Sequence, residues 1–495
     1  LSAGEPGRRF RGRGHLVGWG VYPAVFCILR ALPVNLESPL PAALPAGSAV
    51  ALYCSGTADH DGWPVTEFRF VVAGQPHPAD AVRMPRFDMP CRRSGFWGIV
   101  PVQATPGDEA IVLGAEFRSG PAAWQQVELG RIAISAPHPT AGTADPELIA
   151  ICMGTFNPDP GLLERQLDSI RNQTDSRWTC VISDDFSDPE PFDQLVALTR
   201  DDPRFTVSRA PSRIGFYRNF ERALELAPPG ASLIALCDQD DVWHPHKLET
   251  LRRGLGSATL VYSDQRLVDD RGRLLRDTLW KGRANNWTNL ASMLIANTVT
   301  GAAALFRRPV AELALPFPDS PGIEFHDHWV ALSALASGEL RYVDQPLYDY
   351  VQHEAAVLGK VATGAGRRGR SRRSLRQDWR AAYFLGHVPA KVRAHTLLVR
   401  SARQLAPAKR RALERYLAAD RSLLALAWLL LRPVRALLGR NETLGTEWEL
   451  ARGVVWFRLA RALARSPWQR LQLDARFPDP PHFEQRRLQR WRARM

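Results

Sequence analysis

Paired cysteines, phosphate-cradling glycine loops and long apolar runs are what this sequence lacks. Its six cysteines, Cys27, Cys54, Cys91, Cys152, Cys180 and Cys237, form no CxxC pair and lie far apart. That spacing argues against structural zinc and against a disulfide scaffold, and reads as reduced thiols in a cytosolic protein. The last three fall in apolar runs, where a free thiol behaves as a small hydrophobe. No run of 18 apolar residues occurs, so the sequence predicts no membrane-spanning helix. The nearest approach, residues 15–32 behind "RRFRGRG", is interrupted by Pro23 and Arg30, which argues against a signal peptide or anchor. There is no GxGxxG, no P-loop lysine and no internal repeat.

Charge is present but unevenly placed. The net value is +13 over 495 residues. Residues 366–495 hold thirty Lys and Arg against nine Asp and Glu, a balance of +21, which leaves −8 for the rest. A basic tail of this kind attracts anionic lipid or nucleic acid. It lacks the interleaved aromatics of a recognised nucleic-acid module, so nucleic acid is not an expected partner.

The hydrophobic rhythm changes along the chain. Residues 1–34 form an N-terminal extension. Residues 35–137 carry five alternating runs, 48–56, 66–74, 95–102, 109–117 and 124–135, separated by turn residues, and predict a β-sandwich-like domain. Residues 138–146 read as a linker. From 147 to 358 strands and helices alternate: strands at 147–156, "WTCVISDD", 204–210, "SLIALCDQDD", 258–270 and 340–353, and helices at 158–174, 215–227 and 244–255. That alternation predicts an α/β fold around a mostly parallel, Rossmann-like sheet. A basic linker at 359–374 precedes an Arg-rich helical region, 375–495. Within it 421–440 and 450–467 are apolar on one side, which suits either mutual packing or a membrane interface.

Ligands of open α/β sheets bind at the carboxyl ends of the strands. Here those ends carry Thr155, Phe156 and Asn157, then Ser183, Asp184 and Asp185, then Asp238, Gln239, Asp240 and Asp241. Carboxylates crowded at a strand end either face water or hold a divalent cation. Mg²⁺ or Mn²⁺ held by such acids would in turn hold a diphosphate. Asp327, in "FHDHWVALSALASG", taken alone reads as a first-turn helix acid favoured by the helix dipole. Trp243 and Trp329 read as packing residues at the edge of the site. The HxH pairs at His244/His246 and His326/His328 lack the spacing of a zinc site.

Taken in order, "TFNPD", "QLDSIRNQT", "ISDDFSD", "ALCDQDDVWHPHKLE", "NTVTGAAALFRR", "HDHW" and "YVQH" resemble the inverting family-2 glycosyltransferases of the GT-A fold. The resemblance covers about residues 147–358, and the subgroup most similar in appearance is the rhamnosyltransferase-like enzymes of bacterial surface-polysaccharide synthesis. It implies a metal-dependent transferase moving a sugar from a dTDP- or UDP-sugar, dTDP-rhamnose among them, to a glycan or lipid-linked acceptor. Thr155, Asn157 and Asp185 would contact base and ribose, with Asp184 assisting and Arg213 reaching the nucleotide. Asp238 would lie near ribose and metal, Asp240 would ligate Mg²⁺ or Mn²⁺, and His353 would add a ligand or a diphosphate contact. Asp327 would be the general base. The departures are Arg213, where Asn is common, and His328, where an aromatic is usual. The basic tail would bring the protein to the cytoplasmic, inner face of the plasma membrane. The rival reading is a carbohydrate-binding protein with an inactive transferase-like domain.

Overall fold

The computed structural model describes residues 33–60, 63–84, 86, 91, 93–138, 145–279, 288–322, 324–352, 382–401, 404–432 and 444–463. Ten strands precede the first helix-bearing segment and form two facing sheets. One sheet runs β1 (Val34–Leu36), β3 (Ala49–His60), β8 (Gly95–Gln103), β7 (Ala81–Met84), with β4 (Trp63–Pro64) paired to β3. The other runs β2 (Ala43–Pro45), β10 (Gln125–Ser135), β9 (Ala110–Arg118), β5 (Glu67–Val72), β6 (Gln75–Pro78). The five long strands are those that alternation in the sequence predicts. The others are two to four residues long, too short to display a period.

The period-2 pattern decides what these strands bury. Phe68, Phe70 and Val72 of β5 and Ile111, Leu113, Ala115 and Phe117 of β9 point between the sheets. Phe68 stacks on Phe96 with ring centroids 4.2 Å apart. Strand β8 breaks the one-face rule. Its Phe96, Val100 and Val102 join the sandwich interior, whereas Trp97 and Ile99 on the other face join a second core shared with the rest of the molecule.

The next sheet has nine strands, in the order β13 (Phe205–Arg209), β12 (Trp178–Asp184), β11 (Asp145–Thr155), β14 (Ala231–Cys237), β18 (Ala304–Arg307), β16 (Leu260–Asp269), β19 (Leu340–Gln352), β15 (Val242–Trp243), with β17 (Leu274–Arg276) on β16. The four strands from β13 to β14 are parallel. Beyond β14 the sheet is mixed, with β18 antiparallel to both β14 and β16 and β19 parallel to β16. The mostly parallel sheet expected from sequence is therefore the half that carries the first three strand-end motifs. Central β11 is buried on both faces, Ile149 through Met153 being inaccessible, which explains its unbroken apolar run.

Helices start where local chemistry tells them to. In α1 (Pro160–Arg171) the Asp159 carboxylate accepts from the Leu162 amide and Pro160 occupies the first turn. Helix α2 (Pro189–Thr199) was not legible in the sequence, because it buries little beyond Leu195 and Thr199. Helix α3 (Phe216–Glu225) follows Gly215, whose φ of 84° suits glycine. Helix α4 (Lys247–Leu255) buries Leu248, Leu251 and Leu255, and also Lys247. Short α5 (Leu290–Ile295) and α6 (Arg308–Ala314) lead to α7 (His326–Ser337), which is buried almost all round.

The C-terminal region is a wedge rather than an appendage. A π-type turn at Tyr383–His387 leads into α8 (Val388–Arg400), α9 (Pro407–Ala418), α10 (Leu423–Leu431) and α11 (Leu444–Leu463). Thr396 Oγ1 accepts from the Ala51 amide of β3, and Arg400 donates to carbonyls of Ala49, Leu313, Ala314 and Pro316. Lys391 Nζ lies 2.5 Å from Asp80 and 2.9 Å from Asp420, and Arg393 pairs with Glu324 at 2.5 Å. Tyr383 stacks on Phe457 at 3.7 Å. Several cations that make the tail basic are thus internal. Among the described residues, no helix is long and apolar enough to cross a membrane. The five described cysteines are buried and unpaired, as expected.

Candidate active site at the carboxyl ends of the parallel strands

Strands β11, β12 and β14 end side by side, so Thr155, Asp184 and Asp238 reach one edge of the sheet. The Asp184 carboxylate is wholly buried. It accepts from the Ser187 hydroxyl at 2.5 Å, the Ser187 amide at 2.9 Å and the Thr155 hydroxyl at 3.3 Å, with Arg209 Nε at 3.7 Å. Asp185 is equally well supplied: its two oxygens accept from the amides of Ile214 and Gly215 at 2.6 and 2.9 Å. That pair fixes the loop entering α3, from which Arg213 reaches out, its guanidinium 4.0 Å from the Phe156 ring centroid. Asn157 sits at φ 41°, held by reciprocal bonds with Asp188 at 2.9 and 2.7 Å. Gln239 clamps the same loop through both ends of its amide, at 2.7 and 3.2 Å from the Phe156 backbone.

The acids after β14 are treated differently. Asp238 keeps a solvent-facing edge but has protein on nearly every other side. Burial first, then the charges of Asp240 and Asp327, push its pKa up to about 7. Asp241 is inaccessible. It receives a long bond from the Val351 amide at 3.4 Å, and its Oδ2 has no partner among the described residues. Burial and the neighbouring Asp240 and Asp238 hold its carboxyl well above the usual range. The compensating cation is Lys247, sunk at the start of α4 with Nζ 3.4 Å from the Trp243 ring centroid and bonded to the Ala302 carbonyl at 2.5 Å. Burial lowers its pKa to about 7, so it offsets the acids only in part. Tyr348 and Tyr350 face the same group, and their hydroxyls titrate high because of burial and then the Asp241 charge.

Asp327 occupies the first turn of α7 and accepts from the His328 amide at 2.6 Å. Its pKa rises to about 6 because of burial, held back by the amides of His328 and Gly301 and by the Asn297 side chain. A Cβ on Gly301 would stand 2.9 Å from His326 Nε2 and 3.2 Å from Asp327 Cβ, so glycine there lets the turn before β18 approach the helix start. The charge of Asp327 contributes to the raised pKa values of Asp238, Tyr348 and Tyr350, so these groups are electrostatic neighbours. Trp243 and Trp329 are fully enclosed and pack, as the sequence reading has it. His326 stacks on Phe220 at 3.6 Å, and His328 Nε2 meets the Met293 carbonyl at 2.5 Å; burial lowers both to about 3. His353 lies outside the described residues.

Among the described residues, no three His, Cys, Asp or Glu side chains converge as a ready-made metal cage. The chemistry of the donor set still fits a divalent cation: Asp238 and Asp241 have raised pKa values, an Asp241 oxygen lacks a partner among the described residues and Lys247 is weakly charged, so a cation would supply what their ionised forms lack. Sequence reasoning missed Lys247, Gln239, Ser187 and the two tyrosines. Lys247 was findable, since it shares the apolar stripe of Leu248, Leu251 and Leu255.

The parallel sheet edge, its strand-end loops and the raised-pKa acids beyond β14 all fall within the stretch that a family model recognises. Residues 150–313 match Glycosyl transferase family 2, and the chain carries a domain of that family. An uncharacterized protein, y4gI, of Sinorhizobium fredii is 30% identical over 129 residues, 25% of this chain and 14% of that protein. The succinoglycan biosynthesis protein ExoW of Rhizobium meliloti is 31% identical over 102 residues, 20% of this chain and 31% of its own length. The chain thus spans well under half of either curated relative. Among solved structures, Staphylococcus aureus TarS 1–349 in complex with UDP-GlcNAc aligns at TM-score 0.40 and 13% identity, over 64% of this chain and 91% of TarS 1–349. The mannosyltransferase PcManGT from Pyrobaculum calidifontis, in complex with GDP-Man and Mn²⁺, aligns at 0.32 and 19%, over 66% and 89%.

Proposed function

We propose that this protein is an inverting glycosyltransferase that moves a sugar from a nucleotide-diphosphate donor to a glycan or lipid-linked acceptor of cell-surface polysaccharide synthesis, at the inner face of the plasma membrane. The observation that carries this reading is Asp327: a carboxylate with a pKa of about 6, held at a helix start and near enough to Asp238 for its charge to raise that acid's pKa. A base poised close to neutral pH takes a hydroxyl proton efficiently while remaining mostly ionised. One base working opposite the departing diphosphate corresponds to in-line attack with inversion, by the geometry that governs inverting glycosidases.

The other residues divide the remaining work. Thr155, Asn157, Asp185 and Arg213 line the nucleotide edge, with Asp184 bracing it through Ser187. Asp240 and Asp238 would hold Mg²⁺ or Mn²⁺, with His353 as a further candidate ligand. The cation supplies charge compensation for the leaving diphosphate. Among donors the resemblance favours a dTDP- or UDP-sugar, dTDP-rhamnose included. Relatedness to a succinoglycan biosynthesis protein supports a polysaccharide role.

The test is to incubate the full chain with UDP-, dTDP- and GDP-sugars, with and without Mn²⁺ or Mg²⁺, and follow release of nucleoside diphosphate. Turnover of one donor that chelation abolishes is the expected result. Tight nucleotide binding with no turnover of any donor, with glycan or lipid-linked acceptors present, would favour the carbohydrate-binding alternative.

A further inference from the structure

We infer that the outward face of α10 and α11 is a docking surface for a bilayer containing anionic lipid. The inference deepens the reading above by naming the partner on the acceptor side, and rests on it only for what that partner delivers.

On α10 the residues Ala425, Leu426 and Leu429 are buried, as expected of a packed helix. The opposite face is just as apolar and, among the described residues, has little cover. Leu423 is 73% exposed, Leu424 86% and Leu431 63%, together covering one side of the helix about 100° wide. On α11 the buried face is Glu447, Leu450, Ala451, Val454 and Phe457, and the outer face shows Trp448 at 52%, Trp456 at 39% and Leu459 at 44%. Arg432 Nε lies 3.2 Å from Glu447, tying the end of α10 to the start of α11, so Leu431 and Trp448 belong to the same end of the pair. Isolated exposed leucines are ordinary on a soluble surface, but leucine and tryptophan gathered on two adjoining helices mark an interaction site.

Charge chooses the partner. Arg421, which pairs with Asp80 at 3.1 Å, is still half exposed two residues before Leu423, and Arg452 and Arg458 are half-buried on α11; Glu449 is the acid among them. In sequence, the segments on either side of α11 carry Arg435, Arg440, Arg465 and Arg470 against Glu442. Apolar side chains with arginine on the same helices and in the adjoining sequence match a bilayer interface with anionic headgroups, and tryptophan favours that depth. A nine-residue helix cannot span a bilayer, so it lies in the surface.

The surface is also linked, through α5, to the helix that carries Asp327. Arg432 donates to Ser292 Oγ at 2.6 Å and Asn289 Oδ1 at 3.2 Å, at the start of α5. The Met293 carbonyl of that helix holds His328, next to Asp327, and Arg393 reaches both Glu324 and the Leu294 carbonyl. A bilayer on α10 and α11 is therefore one short helix away from the base, which suits a lipid-linked acceptor.

The test is flotation of the full chain on vesicles of phosphatidylcholine alone and of equimolar phosphatidylcholine and phosphatidylglycerol, comparing the native sequence with Leu424→Glu and, separately, Trp448→Ser. All three proteins are checked for equal melting temperature and for turnover of donor on a water-soluble acceptor. The native chain should float with the mixed vesicles, and each variant should partition roughly tenfold less or weaker still. Unchanged flotation of Leu424→Glu overturns the inference. So does failure of the native chain to float, including the case where it elutes as a dimer that Leu424→Glu separates, because a second copy then covers the face. Absence of donor turnover in every form, with flotation intact, removes the transferase reading and leaves the docking surface standing.

Discussion

Asp184–Asp185 and Asp238–Asp241 are the same residue types, on the same edge of the same sheet, at the ends of β12 and just beyond β14. The first pair is satisfied by protein: hydroxyls, amides and an arginine meet its oxygens. In the second group Asp238 and Asp241 are not so supplied: both titrate high, one Asp241 oxygen has no partner among the described residues, and the nearby lysine is only weakly charged. An acid whose hydrogen bonds close within the protein braces a loop. An acid left short of partners is held for something that arrives later. The difference cannot be counted from carboxylates alone; it lies in where the donors are.

The sharpest way to break the comparison is to remove Lys247. Lys247→Met leaves Asp238 and Asp241 without their cation and should destabilise the protein by about 3–5 kcal/mol, read by urea unfolding, with Mn²⁺ restoring part of the loss. No metal rescue would mean the acids are not waiting for a cation. Next, Asp240→Asn should lower kcat roughly 10²–10³-fold with folding intact, whereas Asp184→Asn should leave kcat for the folded enzyme within a few-fold. Equal losses in both would erase the distinction. Asp184→Ala strands the Ser187 amide and hydroxyl and should cost about 1–3 kcal/mol of stability, visible as a lowered melting temperature. The smallest effect is on pH. Asp327 must be ionised to accept a proton, so kcat/KM should climb with pH and level off above about 6. One unit below, it should be about tenfold down. The same raised pKa makes the ionised form a cost to folding, incurred as pH rises from the ordinary carboxylate value to about 6.

Much of this was legible in the residues. Ile149–Met153, Cys180–Asp184 and Leu233–Cys237 announce buried strands because both faces are covered, and the acids follow them directly. The stripes of α1, α3 and α4 appear because one side of each helix is core. What stayed hidden is of two kinds. Helix α2 buries too little to show a period. The division of labour among the acids depends on partners, some close in sequence and some distant. Ser187, three residues after Asp184, is a local signal that an Asp–Ser turn could have disclosed; Ile214 and Gly215 beside Asp185, or Val351 beside Asp241, are not. The tail is the clearest case of a sum that misleads. Its balance of +21 counts Lys391, Arg393 and Arg432 as surface charge, yet each is buried against Asp80 and Asp420, Glu324, or Glu447. What is left for a membrane is a smaller set of arginines around an apolar face.

The account stands most directly on Asp327 as the base, and the measurement is Asp327→Asn with donor affinity and single-turnover rate determined separately. The account predicts unchanged binding of the nucleotide sugar, a rate reduced roughly 10²–10⁴-fold, and loss of the pH step near 6. A variant that transfers sugar at the native rate, with the pH step still in place, would contradict it.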